Sequence, residues 1–202
     1  MSPSELAADA RILWRLLRGQ PRSGSHAERL EGFYAPQATR YDAFRARLLH
    51  GRADLIAALD LPAGARVVEL GCGTGSNLAY LGNGRRKLAD FASIQLVDLC
   101  PALLDQARQR VTGLANVQVI EADATTWQPQ QPVDCVYLSY ALSMMPDWRG
   151  VLANAWSMLA PGGQLGIVDF HLPMTGNRVG TRTRNQIGNL FWKTWFAHDG
   201  VH

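Results

Sequence analysis

The stretch Val67–Gly75, "VVELGCGTG", decides the fold. A short run of β-favouring apolar residues passes directly into Gly71, Gly73 and Gly75. A buried strand ending in glycines predicts a tight strand-to-helix turn, where a ligand can approach the backbone near the next helix's N-terminus. The spacing is G-x-G-x-G. A dinucleotide fingerprint would need one more glycine at position 76, which is Ser76. Glu69 stands two residues before the first glycine. It reads either as a ligand contact or as a hydrogen-bonding group at the strand end.

Downstream, "SIQLVDL", "VQVIEAD", "VDCVYLSYA" and "GQLGIVDFHL" are further β-rich runs. They alternate with helical patterns, "SNLAYLGNGRRKLADF", "PALLDQARQRVTGL" and "WRGVLANAWSML". This alternation predicts a mainly parallel sheet with right-handed crossovers, an α/β domain of Rossmann-like type. Upstream, residues 1–60 read as a helical N-terminal cap and substrate region, joined in one structural unit to a ligand-binding domain at 61–202. A helix is expected from about Tyr41 to Leu59. Residues 5–18 carry Leu6, Ala10, Leu13 and Leu17 on one helical face and arginines on another.

The 202 residues suffice for one sizeable core. No apolar run is long enough to span a bilayer, and arginines interrupt the N-terminal apolar segment, which argues against a signal peptide. Cys72, Cys100 and Cys135 are expected to be reduced, buried thiols of a cytoplasmic protein, with no metal-ligand spacing. The net charge of +3 is uneven: up to Arg52 there are nine arginines against five acidic residues. From Leu172 onward there are four basic residues against one acidic. Basic flanks suit an anionic surface such as the inner face of a membrane, and equally suit a solvated arginine-rich face.

The strand ends hold further candidates. Asp98 closes "LVDL", 23 residues past Gly75. An acidic side chain there meets a ribose diol across the switch point of such a sheet, or caps the helix "PALLDQAR". Asp123, in "EADATTW", is placed at an adenine edge beside the Ala124 backbone, or is a turn former. Tyr140 follows the fourth strand, either facing the reacting group or packing. Taken together over about Ala65 to Leu172, these marks resemble the class I S-adenosylmethionine-dependent methyltransferases. That resemblance implies S-adenosyl-L-methionine as cofactor and S-adenosyl-L-homocysteine as product. It assigns Glu69, Gly71, Gly73 and Gly75 to the methionine part, Asp98 to the ribose, and Asp123 and Ala124 to the adenine. Tyr140 would face the methyl group and the acceptor.

The preceding segment contains "FYAPQATRYDAF" and then "LLHGR". Its pattern of Tyr34, Gln37, Tyr41, Asp42, Arg45, His50, Gly51 and Arg52 resembles the bacterial betaine-lipid methyltransferases, as does the later "FWKTWFAHDGVH". That narrower resemblance implies three N-methylations of diacylglycerylhomoserine and peripheral contact with an anionic membrane. Tyr34 and Tyr41 join Tyr140 as candidate catalytic or pocket residues. Arg45 and Arg52 are candidates for the homoserine carboxylate, and His171 for a further acceptor contact. A product quaternary ammonium favours aromatic faces, including Trp192 and Trp195.

One departure stands out. After the fifth strand, about thirty residues read as loop and one helix, so the sixth and seventh strands of the family are not expected there. The remaining readings are a soluble amine or quinone-precursor methyltransferase, an aminocarboxypropyl transferase, or a non-catalytic cofactor-binding module. A nucleic-acid acceptor is disfavoured, since "LSYALS" stands where amino-group methylases of nucleic acids carry an Asn/Asp-Pro-Pro-aromatic signature.

Overall fold

The computed structural model describes residues 49–83 and 87–170, together with residues 24, 25, 28, 29, 31 and 32. The expected helix at 5–18, the candidates Tyr34, Tyr41, Arg45 and His171, the tryptophans Trp192 and Trp195, and the question of sixth and seventh strands all lie outside the described residues. Five strands form one parallel sheet: β1 (Arg66–Leu70), β2 (Ser93–Asp98), β3 (Val117–Glu121), β4 (Val133–Ser139) and β5 (Leu159–Val168), in the order β3-β2-β1-β4-β5. The chain builds outward from β1 to β3, then returns to place β4 on the other side of β1. This reversal leaves a crevice at the carboxyl ends of β1 and β4, where ligands bind in open α/β sheets.

The strands form because β-branched and other apolar residues fill both faces. One face carries Val67, Ile94, Leu96, Cys135 and Tyr137 against Leu78, Leu81 and Leu104. The other carries Val68, Leu70, Val97, Val136 and Leu138 against Val151, Ala155 and Met158. The helices are α1 (Arg52–Ala58), α2 (Leu78–Asn83), α3 (Pro101–Arg110) and α4 (Trp148–Ser157). Pro101 opens α3 at a position where a missing N–H costs nothing. Asp147 caps α4, its carboxylate accepting from the Gly150 N–H at 3.0 Å.

Two expectations need correction. The helix predicted from Tyr41 to Leu59 is not continuous: residues 49–51 form a turn, and Gly51 precedes α1 with φ +82°. With left-handed Gly51 at the N-cap, the helical ladder starts at Arg52. The pattern at 76–91 yields only α2 and a separate 3₁₀ turn at Leu88–Asp90. The first break bears on the site, because residues 50 and 51 lie beside the ends of β4 and β5. Leu55 of α1 and Leu59, which follows it, pack over Gly166 in β5, where an added Cβ would meet them at 3.1 and 3.0 Å.

Gly71 has φ +72°, and a Cβ there would run into the Ala141 side chain after β4. Gly113, with φ +84°, has nothing within 4 Å of such a Cβ. Gly113→Ala should therefore cost about 1 kcal/mol of backbone strain alone. Gly71→Ala should cost roughly 3 kcal/mol, because overlap adds to strain. Urea denaturation of the two variants checks the difference.

Candidate active site

The crevice at the strand ends is a cavity of about 310 Å³. Each of the first four strands contributes the residues that follow it: Gly71 and Gly73 after β1, Asp98 at the end of β2, Asp123 and Ala124 after β3, Tyr140 after β4. Leu103, Met144, Met145 and Val151 add an apolar wall. Six of the sequence candidates thus meet around one space, brought there by sheet order alone.

The glycine loop is held from several sides. Gly71 and Cys72 donate their N–H groups to the Val97 carbonyl at 2.8 and 3.1 Å. Gly73 donates to Asp98 Oδ2 at 2.7 Å, and Cys100 donates to Asp98 Oδ1 at 2.9 Å. Arg110 from α3 reaches back to the Thr74 carbonyl at 3.0 Å. At Gly73, with φ +54°, an added Cβ would find only Leu103 Cδ1, at 3.8 Å. That space belongs to the cavity wall, so a ligand can lie directly on the loop backbone.

Asp98 does not cap α3 with its side chain; Cys100 is the capping residue and makes no side-chain cap bond. Asp98 instead joins the glycine loop to the start of that helix. Asp123 forms a local turn, accepting from the Thr125 N–H at 2.8 Å and the Thr125 hydroxyl at 2.7 Å. Asn154 on α4 pins the next residues, donating to the Ala124 and Trp127 carbonyls at 2.9 Å each. A turn role and a place on the cavity wall are therefore compatible for both carboxylates.

Tyr140 is the one non-glycine among the described residues with positive φ, at 55°. Such a conformation costs free energy and persists only where surroundings enforce it. Here its N–H donates to the Val168 carbonyl at 2.8 Å, and its hydroxyl donates to the His50 carbonyl at 2.6 Å. Its ring meets Phe170 edge-on at 4.8 Å. Asp169 next door holds Ser143 through the Ser143 N–H and hydroxyl. The Tyr140 ring faces the cavity, while its hydroxyl proton is committed to a backbone oxygen.

Three candidates, Gly75, Glu69 and Arg52, stand behind the cavity and do not line it. At Gly75 an added Cβ would meet Leu96 and Ala107. Glu69 is fully buried; its oxygens accept from Asn77 Nδ2 at 2.7 Å and from the Tyr137 hydroxyl at 2.8 Å. Arg52, the candidate for a substrate carboxylate, is also buried. Its guanidinium donates to the Leu49 carbonyl, Ser76 Oγ and Asn77 Oδ1 at 3.2, 3.3 and 3.5 Å. It therefore faces the end of the glycine loop. The reason is local: Gly51 turns the chain so that the first residue of α1 points inward toward α2. Asn77 and Tyr137 escaped the sequence reading, because one looks like a helix start and the other like strand core.

The cysteines Cys72, Cys100 and Cys135 are free and buried. Among the described residues no helix is long and apolar enough to cross a membrane. No group of His, Cys, Asp and Glu among them is arranged to hold a metal ion.

Comparison with known proteins agrees with this geometry. Residues 67–163 match the family model of the methyltransferase domain. Trans-aconitate 2-methyltransferase of Methylobacterium radiotolerans is 34% identical over 131 residues, covering 64% of this chain and 46% of that protein. The Escherichia coli protein of the same name is 32% identical over 127 residues, covering 63% and 48%. The chain thus spans about half the length of the curated relatives it matches. Among solved structures, DhpI in complex with SAH aligns at TM-score 0.55 and 27% identity, over 72% of this chain and 71% of that one. A methyltransferase from Thiobacillus denitrificans, in complex with S-adenosyl-L-homocysteine, aligns at 0.50 and 29% identity over 61% and 50%. Over residues 67–163 the chain is thus similar to a methyltransferase domain, and its Rossmann-like fold is shared with solved structures bound to S-adenosyl-L-homocysteine.

Burial pushes the Glu69 carboxyl up to about 7 from 4.5, against the hydrogen bonds from Tyr137 and Asn77 that pull it down. The nearby Asp98 charge adds to the rise and Arg52 opposes it. Between these two pH values the folded protein keeps a proton that the unfolded chain has lost. Stability should therefore fall as pH rises from 4.5 to about 7 and then level off. Glu69→Gln should flatten this slope, worth on the order of 3 kcal/mol. A Gln amide can donate to the Tyr137 oxygen, so the network survives the change. Urea unfolding at several pH values tests it.

Proposed function

We propose that this chain is an S-adenosylmethionine-dependent methyltransferase acting on an amine-bearing small molecule, with the amine of diacylglycerylhomoserine as the acceptor and trimethylation as the outcome. The observation that carries the donor half is the convergence of the left-handed glycine loop, Asp98 and Asp123 on one cavity. Gly71 and Gly73 would hold the methionine part against backbone. Asp98 would receive the ribose hydroxyls. Asp123 and the Ala124 backbone would meet the adenine, with Met144, Met145 and Val151 as its apolar bed. The cofactor supplies a sulfonium-bound methyl group that needs no further activation.

The chain's contribution is then placement and exclusion of water. An amine acceptor must be unprotonated to attack, and the ionisable groups on the described cavity wall are Asp98, Asp123, Asp147 and Tyr140. All three charged members are carboxylates, which suits an amine better than a polyanion. Tyr140 and its neighbour Phe170 offer aromatic surface at the same rim, favourable to a quaternary ammonium product. With its hydroxyl donated to His50, Tyr140 serves as wall and orienting group. Tyr34, Tyr41, Arg45 and His171 remain proposed acceptor-side residues. Arg52 acts from behind the glycine loop. The basic flanks would favour peripheral contact with anionic lipid.

A second reading has its own support: the relatives named trans-aconitate 2-methyltransferase suggest a small carboxylate acceptor. Purified protein given labelled S-adenosylmethionine with either diacylglycerylhomoserine or trans-aconitate separates the two. The proposal expects label in mono-, di- and trimethylated lipid; label in trans-aconitate with none in lipid would replace it by the second reading. Asp98→Ala should weaken S-adenosylhomocysteine binding at least about tenfold by calorimetry, since one half-buried charge-assisted hydrogen-bond set is lost.

A further inference from the structure

The residues behind the cavity form a chain of contacts that the methyl-transfer reading has not used. Arg52 Nη1 donates to Asn77 Oδ1 at 3.5 Å, and Asn77 Nδ2 donates to Glu69 Oε1 at 2.7 Å. One amide side chain thus stands between a guanidinium and a carboxylate, with its oxygen toward the positive group and its N–H toward the negative one. Both ends are buried, Arg52 at 7% exposure and Glu69 at 0%. Among the described residues no carboxylate makes an ion pair with Arg52. Its other partners, the Leu49 carbonyl, Ser76 Oγ and the Tyr80 ring, whose centroid lies 5.4 Å from the guanidinium carbon, are neutral.

A buried charge without compensation is costly. Here each charge is the nearest available compensation for the other, transmitted through the Asn77 dipole. The groups facing Glu69 are Asn77 at the end of the glycine loop, Cys72 within the loop, Tyr137 on β4, Asp98 on β2 and Arg52 on α1. Arg52 is the one cation among them. Asp98 holds the loop from the cavity side through Gly73; Ser76 and Asn77, at its far end, are held by Arg52 and Glu69.

We propose that Arg52 is a positioning residue for the donor site: relayed through Asn77, it is the counter-charge of Glu69, and the pair fixes the loop at 71–77 from behind. This rests on reading the cavity as the S-adenosylmethionine site, and it assigns Arg52 to donor binding, away from the acceptor carboxylate. The ionised Glu69 that this pairing needs is disfavoured by burial, so loss of Arg52 shifts Glu69 toward its protonated form.

The test pairs Arg52→Gln with Glu69→Gln. Carbon-13 NMR of the labelled Glu69 carboxyl should show its titration midpoint rising in Arg52→Gln, a shift that a purely space-filling arginine would not cause. At pH 8, S-adenosylhomocysteine affinity should fall roughly tenfold in Arg52→Gln and recover to within about threefold of Glu69→Gln alone in the double variant. An unchanged Glu69 midpoint in folded Arg52→Gln overturns the proposal, as does a double variant no better than the single one. Should Arg52→Gln fail to fold, the double variant decides. The proposal requires it to fold, because the uncompensated charge is gone, and a double variant that stays unfolded overturns it. The NMR and folding measurements need no ligand. Failure of the wild type to bind S-adenosylhomocysteine would therefore count against the cofactor reading and leave the charge pairing to stand or fall on those measurements.

Discussion

The hydrogen bond from the Gly73 N–H to Asp98 Oδ2, at 2.7 Å, is the contact on which the site depends. It joins the turn after β1 to the end of β2, and it requires a backbone conformation that glycine adopts without strain. The same carboxylate accepts from Cys100 at the head of α3. Strand, turn and helix are thus tied at one point, on the edge of the crevice left by the β1/β4 reversal. The walls of the cavity follow from this arrangement: the turn supplies backbone, β2 and β3 supply carboxylates, and β4 supplies Tyr140.

Behind that contact lies the less expected half of the structure. Glu69 occupies a layer otherwise made of Val67, Ile94, Leu96 and Tyr137, where an apolar residue would pack without a desolvation penalty. Its hydrogen bonds to Asn77 and Tyr137 tie β1 to the far end of the glycine loop and to β4. Arg52 extends the same network to α1. The loop is held at its front by a carboxylate on the cavity and at its back by a buried polar chain. A site that must bind a flexible, charged cofactor gains from such preorganisation, because less ordering remains to be done on binding.

Much of this was legible in the sequence, and the parts that were not have physical causes. Alternating strand and helix patterns located the five strands, because buried parallel strands have unmistakable composition; the placing of β4 on the other side of β1 was not part of that reading. Gly71, Gly73, Asp98, Asp123, Ala124 and Tyr140, all candidates in the sequence, line one cavity because strand ends in this topology converge. Glu69 and Arg52 were found as residues, and their placement behind the cavity was not visible. Their side-chain directions depend on the Gly51 turn and on burial, neither of which sequence spacing reports. Asn77 and Tyr137 are silent in sequence, since an Asn at a helix start and a Tyr in a strand have ordinary explanations. The continuous helix expected before β1 was misread for a related reason: one left-handed glycine outweighs the propensity of its neighbours.

The donor side of the account rests on backbone geometry and the acceptor side on chemistry at the rim. The central claim, that S-adenosylmethionine lies on the Gly71–Gly75 turn and reaches Asp123, is met most directly by amide chemical shifts. Titration of the labelled protein with S-adenosylhomocysteine should move the Gly71, Gly73, Cys100 and Ala124 resonances and leave Gln95 and Gln118, on the polar outer face of β2 and β3, in place. A ligand that moves Gln95 and Gln118 and spares Gly73, or that moves none of these, would contradict the account.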